Sequence, residues 1–402
     1  MYFCENVYLV SGKTCAAIYD LNHGNLYHLN PESRELLSII GDKRTFTQEE
    51  MAFLLELKRM GILTEEKVEP HAICDLANKA DIDFVWIEVT TLCNLRCVHC
   101  YDNSSPTAHC TMNIIDFKHI VDELVDVGIK RIQLIGGEPF VLGEKLKEYF
   151  DYCLGKFDYI EVYSNGTLID EKWYDYLSTN KIHVAISVYS YVEDEHNRIT
   201  QNTNSYALTN HAIRELYSHG IQYRVKNVLM ANLELGKKNT ELYTLSYSHD
   251  VVRLAGRANL ELIDDKLLRL KLITPETFKR RLSKQMVHRL VSGHNCFSRR
   301  LYFAANLQIY PCVMERRVSH GSIKNKSLRS LIDEGIRSYN KDKIEGCCQC
   351  EFRYCCFDCR PDSGGRAFNS KPWYCTYNPD MGQWDDPDDF IEKLHFSKST
   401  SP

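Results

Sequence analysis

Cys93, Cys97 and Cys100 stand in the segment TTLCNLRCVHCY with C-x3-C-x2-C spacing. Three thiolates on one short loop bind three corners of a [4Fe–4S] cube and leave the fourth iron without a protein ligand. That iron can then take a small molecule. A structural zinc ion would need a fourth donor, for which His99 and His109 are the nearby imidazoles. Further on, LIGGEPF (134–140) offers Gly136 and Gly137, which let backbone approach a ligand closely, and Glu138, whose carboxylate can pair with an amino group. A second field of thiols begins at Cys296 and Cys312, which frame the hairpin-like stretch CFSRRLYFAANLQIYPC. It continues in GCCQCEFRYCCFDCR, where Cys347, Cys350, Cys356 and Cys359 are spaced x2, x5, x2, and ends at Cys375. Four of these thiols suffice for a zinc ribbon, but seven exceed one zinc site and nearly suit two iron–sulfur clusters. Cys348 and Cys355 are left over and read as packed thiols. Cys4, Cys15, Cys74, Cys110 and Cys153 read as ordinary thiols.

The rest of the composition is ordinary. Of 402 residues, 44% are hydrophobic and 26% charged, which excludes disordered and fibrous classes. A net charge of -5 argues against a chain built to hold nucleic acid. No apolar run reaches the roughly 18 residues needed to cross a bilayer, and MYFCENVYLVSGK is a poor secretory signal. The seventeen cysteines are uneven: none lies between Cys153 and Cys296, and six crowd the thirteen positions from Cys347 to Cys359. Such crowding suits soft metal centres better than a disulfide net, so the expectation is a cytoplasmic protein with reduced, metal-bound thiols.

Elements must hold these groups in place. From 84 to 255, strand-like runs alternate with helical ones: Phe84 to Val89, Arg131 to Ile135, Ile160 to Tyr163, His183 to Val188, Tyr223 to Leu229 and Val251 to Leu254. Asn113 caps a helix with Phe117, Ile120, Val121 and Leu124 on one face. Repeated βα units predict an α/β fold, a parallel sheet forming a partial (β/α)6 barrel with its chemistry at the C-terminal strand ends. Residues 1–75 read as a winged-helix-like module, with strands at Val7 to Val10, Ala16 to Asp20 and Leu26 to Leu29, a helix after Pro31 and a second begun by the Thr47/Glu50 capping box; it is either a recognition module or a plain cap on the main domain. Residues 256–295 form a basic bridging region, read as a solvated helix or as a contact for an acidic peptide. Residues 296–380 make the cysteine-rich domain, and 381–402 an acidic, frayed tail. Tyr243 to Tyr247 read as packing residues.

These motifs together resemble the radical S-adenosylmethionine (SAM) enzymes. The resemblance implies that Cys93, Cys97 and Cys100 carry the open-iron [4Fe–4S] cluster and that Gly136, Gly137, Glu138 and Pro139 contact the SAM amino group. Ser164 and Asn165 in YSNGT, Ser187 in AISVYS and Arg198 in HNRIT match cofactor-binding positions. His99 departs from the aromatic residue that often precedes the third cysteine. The implied reaction is reductive cleavage of SAM to a 5′-deoxyadenosyl radical, which removes a hydrogen atom from an unactivated carbon.

The second thiol field resembles the SPASM extension, which holds two auxiliary [4Fe–4S] clusters. By that resemblance Cys296, Cys312 and Cys359 serve an inner cluster with an open iron, and Cys347, Cys350, Cys356 and Cys375 an outer one. The usual glycine before the second cysteine is replaced near Leu307, and the last interval of the four-cysteine run is two residues instead of three. The opening strands, CEFRYCCFDCR and KPWYCTYNPDMGQW are similar to the peptide maturases that accompany ATP-grasp ligases, the grasp-with-SPASM group. This implies a ribosomally made precursor peptide as substrate, its leader bound by the N-terminal module, crosslinked or otherwise oxidised. It also implies an electron donor such as flavodoxin or ferredoxin, and no nucleic-acid or membrane partner. The alternatives are an anaerobic sulfatase-type maturase making formylglycine and a noncatalytic iron–sulfur electron carrier.

Overall fold

The computed structural model describes residues 1–40, 45–69, 71–79, 81–236 and 250–399; the Tyr243–Tyr247 stretch lies outside them. Three antiparallel strands, β1 (Val7–Ser11), β2 (Ala16–Asp20) and β3 (Asn25–Leu29), open the chain and pair in that order. Helices α1 (Pro31–Ser38) and α2 (Gln48–Arg59) follow. Asn30 caps the first through Ser33 N, and Thr47 with Glu50 closes a capping box on the second. This unit docks onto the cysteine-rich region. Lys13 N donates to Gln349 O (2.8 Å), the Tyr19 hydroxyl to Glu351 O (2.9 Å) and Arg353 Nη1 to Ser11 O (3.0 Å).

The central sheet is built from β4 (Phe84–Thr90), β5 (Arg131–Gly136), β6 (Tyr159–Ser164), β7 (His183–Ser187) and β8 (Tyr223–Lys226), all parallel. Helix α3 (Ile114–Asp126) joins the first pair, capped by Asn113 as its sequence predicts. Strand periodicity sorts the faces. Val85, Ile87, Val89, Ile132, Leu134, Val162, Val184, Ile186 and Val225 pack under the helices with Phe117, Ile120, Val121 and Leu124. The opposite face mixes polar groups with an aromatic cluster of Trp86, Tyr163 and Tyr302; there Arg224 grips Glu161 with Nε (2.7 Å) and Nη2 (2.6 Å). Two further helices matter below, α4 (Glu193–Thr200) and α5 (Ser205–Ser218). Past Asn227 the chain continues as Val228–Leu229, which pairs in parallel with Asp250–Val251. The sixth strand is therefore present at its expected start, as a two-residue ladder displaced from the main sheet.

Three features differ from expectation. The Cys296–Cys312 stretch is more than a hairpin: its first strand, β9 (Arg300–Phe303), adds to the sheet parallel to β4, with Tyr302 opposite Trp86. Strands β10 (Gln308–Tyr310) and β11 (Gly321–Ser322) extend it antiparallel, so the sheet crosses the boundary drawn at 296. In the β9–β10 turn Leu307 takes the place of the usual glycine and is held at φ 67°, the left-handed region glycine favours. Up to Ser399, the stretch that begins at 381 is not a frayed tail. Pro387–Ser399 is a helix with Asp388 and Asp389 in its first turn, where the helix dipole favours acidic groups; Ile391 is buried and His395 bonds Asp265 at 2.7 Å.

Candidate active site

The C-terminal end of β4 turns into the three-cysteine loop, and the next strand end holds it. Gly137 N donates to Thr90 O (2.7 Å) and Glu138 N to Leu92 O (2.9 Å). Both glycines are required by space: a Cβ on Gly136 would sit 2.3 Å from Thr90 O, and one on Gly137 2.3 Å from Leu92 O. Helix α4 ties the far side through Arg96 N to Thr200 O (3.2 Å) and Val98 N to Ile199 O (3.0 Å). Arg257 clamps the loop, with Nε on Cys97 O (2.9 Å) and Nη2 on Ser104 O (2.8 Å). Nothing in sequence spacing marked Arg257.

Glu138 is fully buried. It accepts from Phe140 N (3.1 Å), the Ser164 hydroxyl (2.9 Å) and Asn165 N (2.7 Å), and burial pushes its carboxyl up to about 7. The carboxylate thus braces the tips of β5 and β6. Asn165 in turn donates to Asn94 Oδ1 (3.0 Å) inside the cysteine loop, and its Nδ2 lies 3.9 Å from Cys93 Sγ. Ser187 ends β7, one strand further on, and is buried. Pro139 is buried and starts a single helical turn. Arg198 is exposed on α4, and only its neighbours Ile199 and Thr200 touch the loop. The geometry therefore joins Cys93, Cys97, Cys100, Gly136, Gly137, Glu138, Ser164 and Asn165, and leaves the Arg198 side chain outside that network.

The donor set fits a cluster better than a single ion. Thiolates around one zinc lie about 3.8 Å apart. Among the described residues, no three Cys, His, Asp or Glu ligand atoms within 4.8 Å of one another include Cys93, Cys97 or Cys100. His99 instead packs edge-on to Tyr189 (4.4 Å), and burial pushes its imidazole down to about 4. Burial also pushes Cys97 up to about 12 and Cys93 higher, so binding must displace protons from these thiols.

In the second field the thiols line two neighbouring cavities, and Cys356 borders both. Cys296, Cys312 and Cys359 line one cavity of about 390 Å³, and the Arg253 guanidinium faces all three. Cys347, Cys350, Cys356 and Cys375 line another recess, with buried Lys341 beside Cys347 and Cys356 and 2.5 Å from Asp358. Neither group forms a closed single-ion site by the same 4.8 Å criterion. A thiolate-ligated cube carries net negative charge, and Arg253 and Lys341 are placed to oppose it. Sequence spacing predicted neither cation. Cys348 is exposed, and Cys355 is buried with Sγ 3.3 Å from the Tyr19 hydroxyl, consistent with packed or idle thiols.

Residues 87–238 match the Radical SAM superfamily. The chain is 36% identical over 177 residues to the antilisterial bacteriocin subtilosin biosynthesis protein AlbA of Bacillus subtilis, a match covering 42% of this chain and 39% of that protein. The chain thus spans about two fifths of that relative's length. Its fold is similar to Streptococcus suis SuiB bound to the precursor peptide SuiA (TM-score 0.57, 13% identity, 92% of this chain and 98% of that one). It is also similar to native anSMEcpe with bound AdoMet (TM-score 0.54, 18% identity, 78% of this chain and 97% of that one). No described helix is long and apolar enough to cross a membrane.

Proposed function

We propose that this chain, whose residues 87–238 match the Radical SAM superfamily, modifies a ribosomally made precursor peptide. The observation that carries the reading is the brace between the three-cysteine loop and the GGEP turn, backed by two further thiol groups, with Arg253 beside one and buried Lys341 beside the other. When bound, the open-iron cluster and SAM supply one-electron cleavage of the sulfonium and hence removal of a hydrogen atom from the substrate. The chain's own residues position. Cys93, Cys97 and Cys100 hold the cluster; the glycine turn brings backbone against it; Asn165 and Glu138 fix the distance between loop and turn. Cys296, Cys312 and Cys359, then Cys347, Cys350, Cys356 and Cys375, hold the inner and outer auxiliary clusters. Ser187 and Arg198 complete the SAM site. A flavodoxin or ferredoxin supplies the electron.

The leader of the peptide docks along β3. Among the described residues that strand is paired only to β2. It borders a groove of about 600 Å³ lined on the far side by Lys279, Arg280 and Arg281. An edge strand accepts a peptide by backbone pairing, and the basic flank favours an acidic segment. Two charge reversals, Lys279→Glu with Arg280→Glu, are expected to weaken precursor binding about tenfold at low salt, with the difference shrinking in high salt. Equal affinity of the two proteins at low salt would remove the groove from the reading. Co-expression with the neighbouring small open reading frame, followed by mass spectrometry, tests the activity. Loss of two hydrogens from the peptide supports crosslinking or dehydrogenation, and formylglycine at a Cys or Ser would replace this reading with the sulfatase-type one.

A further inference from the structure

Cys15, which reads as an ordinary thiol in sequence, lies beside His28 and Glu351, and the ligand atoms of the three are within 4.8 Å of one another. Cys15 immediately precedes β2, His28 sits on β3, and Glu351 belongs to the cysteine-rich region. The trio therefore spans the seam between the N-terminal sheet and its dock.

Cys15 and Glu351 are buried, at 4% and 0% exposure, while His28 reaches in from a half-exposed position. The His28 imidazole donates through Nε2 to Glu351 Oε1 (2.8 Å), and the Tyr377 hydroxyl donates to the same oxygen. The other oxygen, Oε2, is buried and takes no hydrogen bond. A buried carboxylate oxygen left open is costly unless a cation or donor meets it. Two glycines keep the surroundings clear: a Cβ on Gly12 would fall 2.3 Å from Glu351 Oε2, and one on Gly382 would fall 2.5 Å from Cys15 Sγ.

We propose that Cys15, His28 and Glu351 bind one zinc-class divalent cation that staples the N-terminal sheet to the cysteine-rich region. Thiolate, imidazole and carboxylate together are the donor types zinc takes. A thiolate and a carboxylate neutralise a divalent ion, which suits a site with two of three ligands buried. With three protein ligands, water takes the fourth position. Tyr377 acts as the outer partner that orients the carboxylate. The inference rests on the seam and not on the SAM site, although His28 also lines the groove beside β3.

The test uses the full chain with its iron–sulfur clusters reconstituted anaerobically, incubated with Zn²⁺ and desalted. Elemental analysis is expected to give one zinc per chain. Zinc-edge X-ray absorption is expected to show one sulfur at about 2.3 Å among nitrogen and oxygen neighbours at about 2.0–2.2 Å. His28→Ala removes a half-exposed side chain, so the fold tolerates it. It is expected to lower zinc affinity by more than about tenfold, the loss that even an outer partner causes, with iron content unchanged. Cys15→Ser is expected to erase the sulfur neighbour. Failure to retain zinc, an all-sulfur shell from zinc in a vacant cluster site, or retention unaffected by His28→Ala would each overturn the staple and leave a hydrogen-bonded His28–Glu351–Tyr377 chain.

Discussion

Cys93→Ala is expected to abolish SAM cleavage and to lower the iron content of the reconstituted chain from about twelve to about eight. Cys93 is the most buried of the three loop thiols, and its neighbours are already committed: Leu95 N points at its sulfur (3.4 Å) and Asn165 Nδ2 approaches it (3.9 Å). No spare donor stands ready. His99 packs against Tyr189 as a neutral ring, and His109 is exposed. Two thiols cannot hold a cube that needs three protein corners. Cys375→Ala is the contrast. Cys375 lines the recess with Cys347, Cys350 and Cys356, away from the SAM loop, so iron should fall while 5′-deoxyadenosine still forms from SAM and dithionite. Measuring iron and 5′-deoxyadenosine on both variants separates the sites. Undiminished 5′-deoxyadenosine from Cys93→Ala would remove this loop from the chemistry.

What could be read directly from residues was chemistry compressed into short spacings. C-x3-C-x2-C, GGEP and the x2, x5, x2 run each name their partners locally, and the strands of the core carry their period in a few residues. Less legible were contacts whose partners lie far apart in the chain. RRLYF between Cys296 and Cys312 has the look of any hairpin strand; its parallel partner is Phe84–Ile87, and no local signal links the two. Arg253, Arg257 and Lys341 are single basic residues in unremarkable surroundings, yet each faces thiols or the loop that bears them. The acidic run near the C-terminus was a misread signal rather than a missing one. Pro387 followed by Asp388 and Asp389 is a helix start, and the buried Ile391 holds that helix down. Leu307 shows the reverse case. The sequence marks the lost glycine, but only the fold shows that the left-handed turn survives without it.

Gly137→Ala is expected to cost as much function as loss of a loop cysteine, although it removes no ligand. The added Cβ would meet Leu92 O at 2.3 Å, Leu92 C at 2.6 Å and Thr91 O at 2.6 Å. All three are backbone atoms, so no side chain can swing aside. Leu92 O is also the acceptor for Glu138 N, so relieving the clash breaks that bond and shifts the residue next to Cys93. Overpacking typically costs about 1–3 kcal/mol, and a clash borne wholly by backbone belongs at or above the upper end. SAM binding should be lost and iron should fall by about four per chain, measured by equilibrium dialysis with labelled SAM and by iron analysis. Gly128→Ala is the control: Gly128 has φ +82° but nothing within 4 Å of an added Cβ. It should cost about 1–2 kcal/mol of stability, from the left-handed backbone alone, and leave iron and SAM affinity unchanged. If Gly137→Ala kept both, the glycine turn and the cysteine loop would not be mechanically joined, and the loop would owe its position to Arg257, α4 and the Asn165–Asn94 bond.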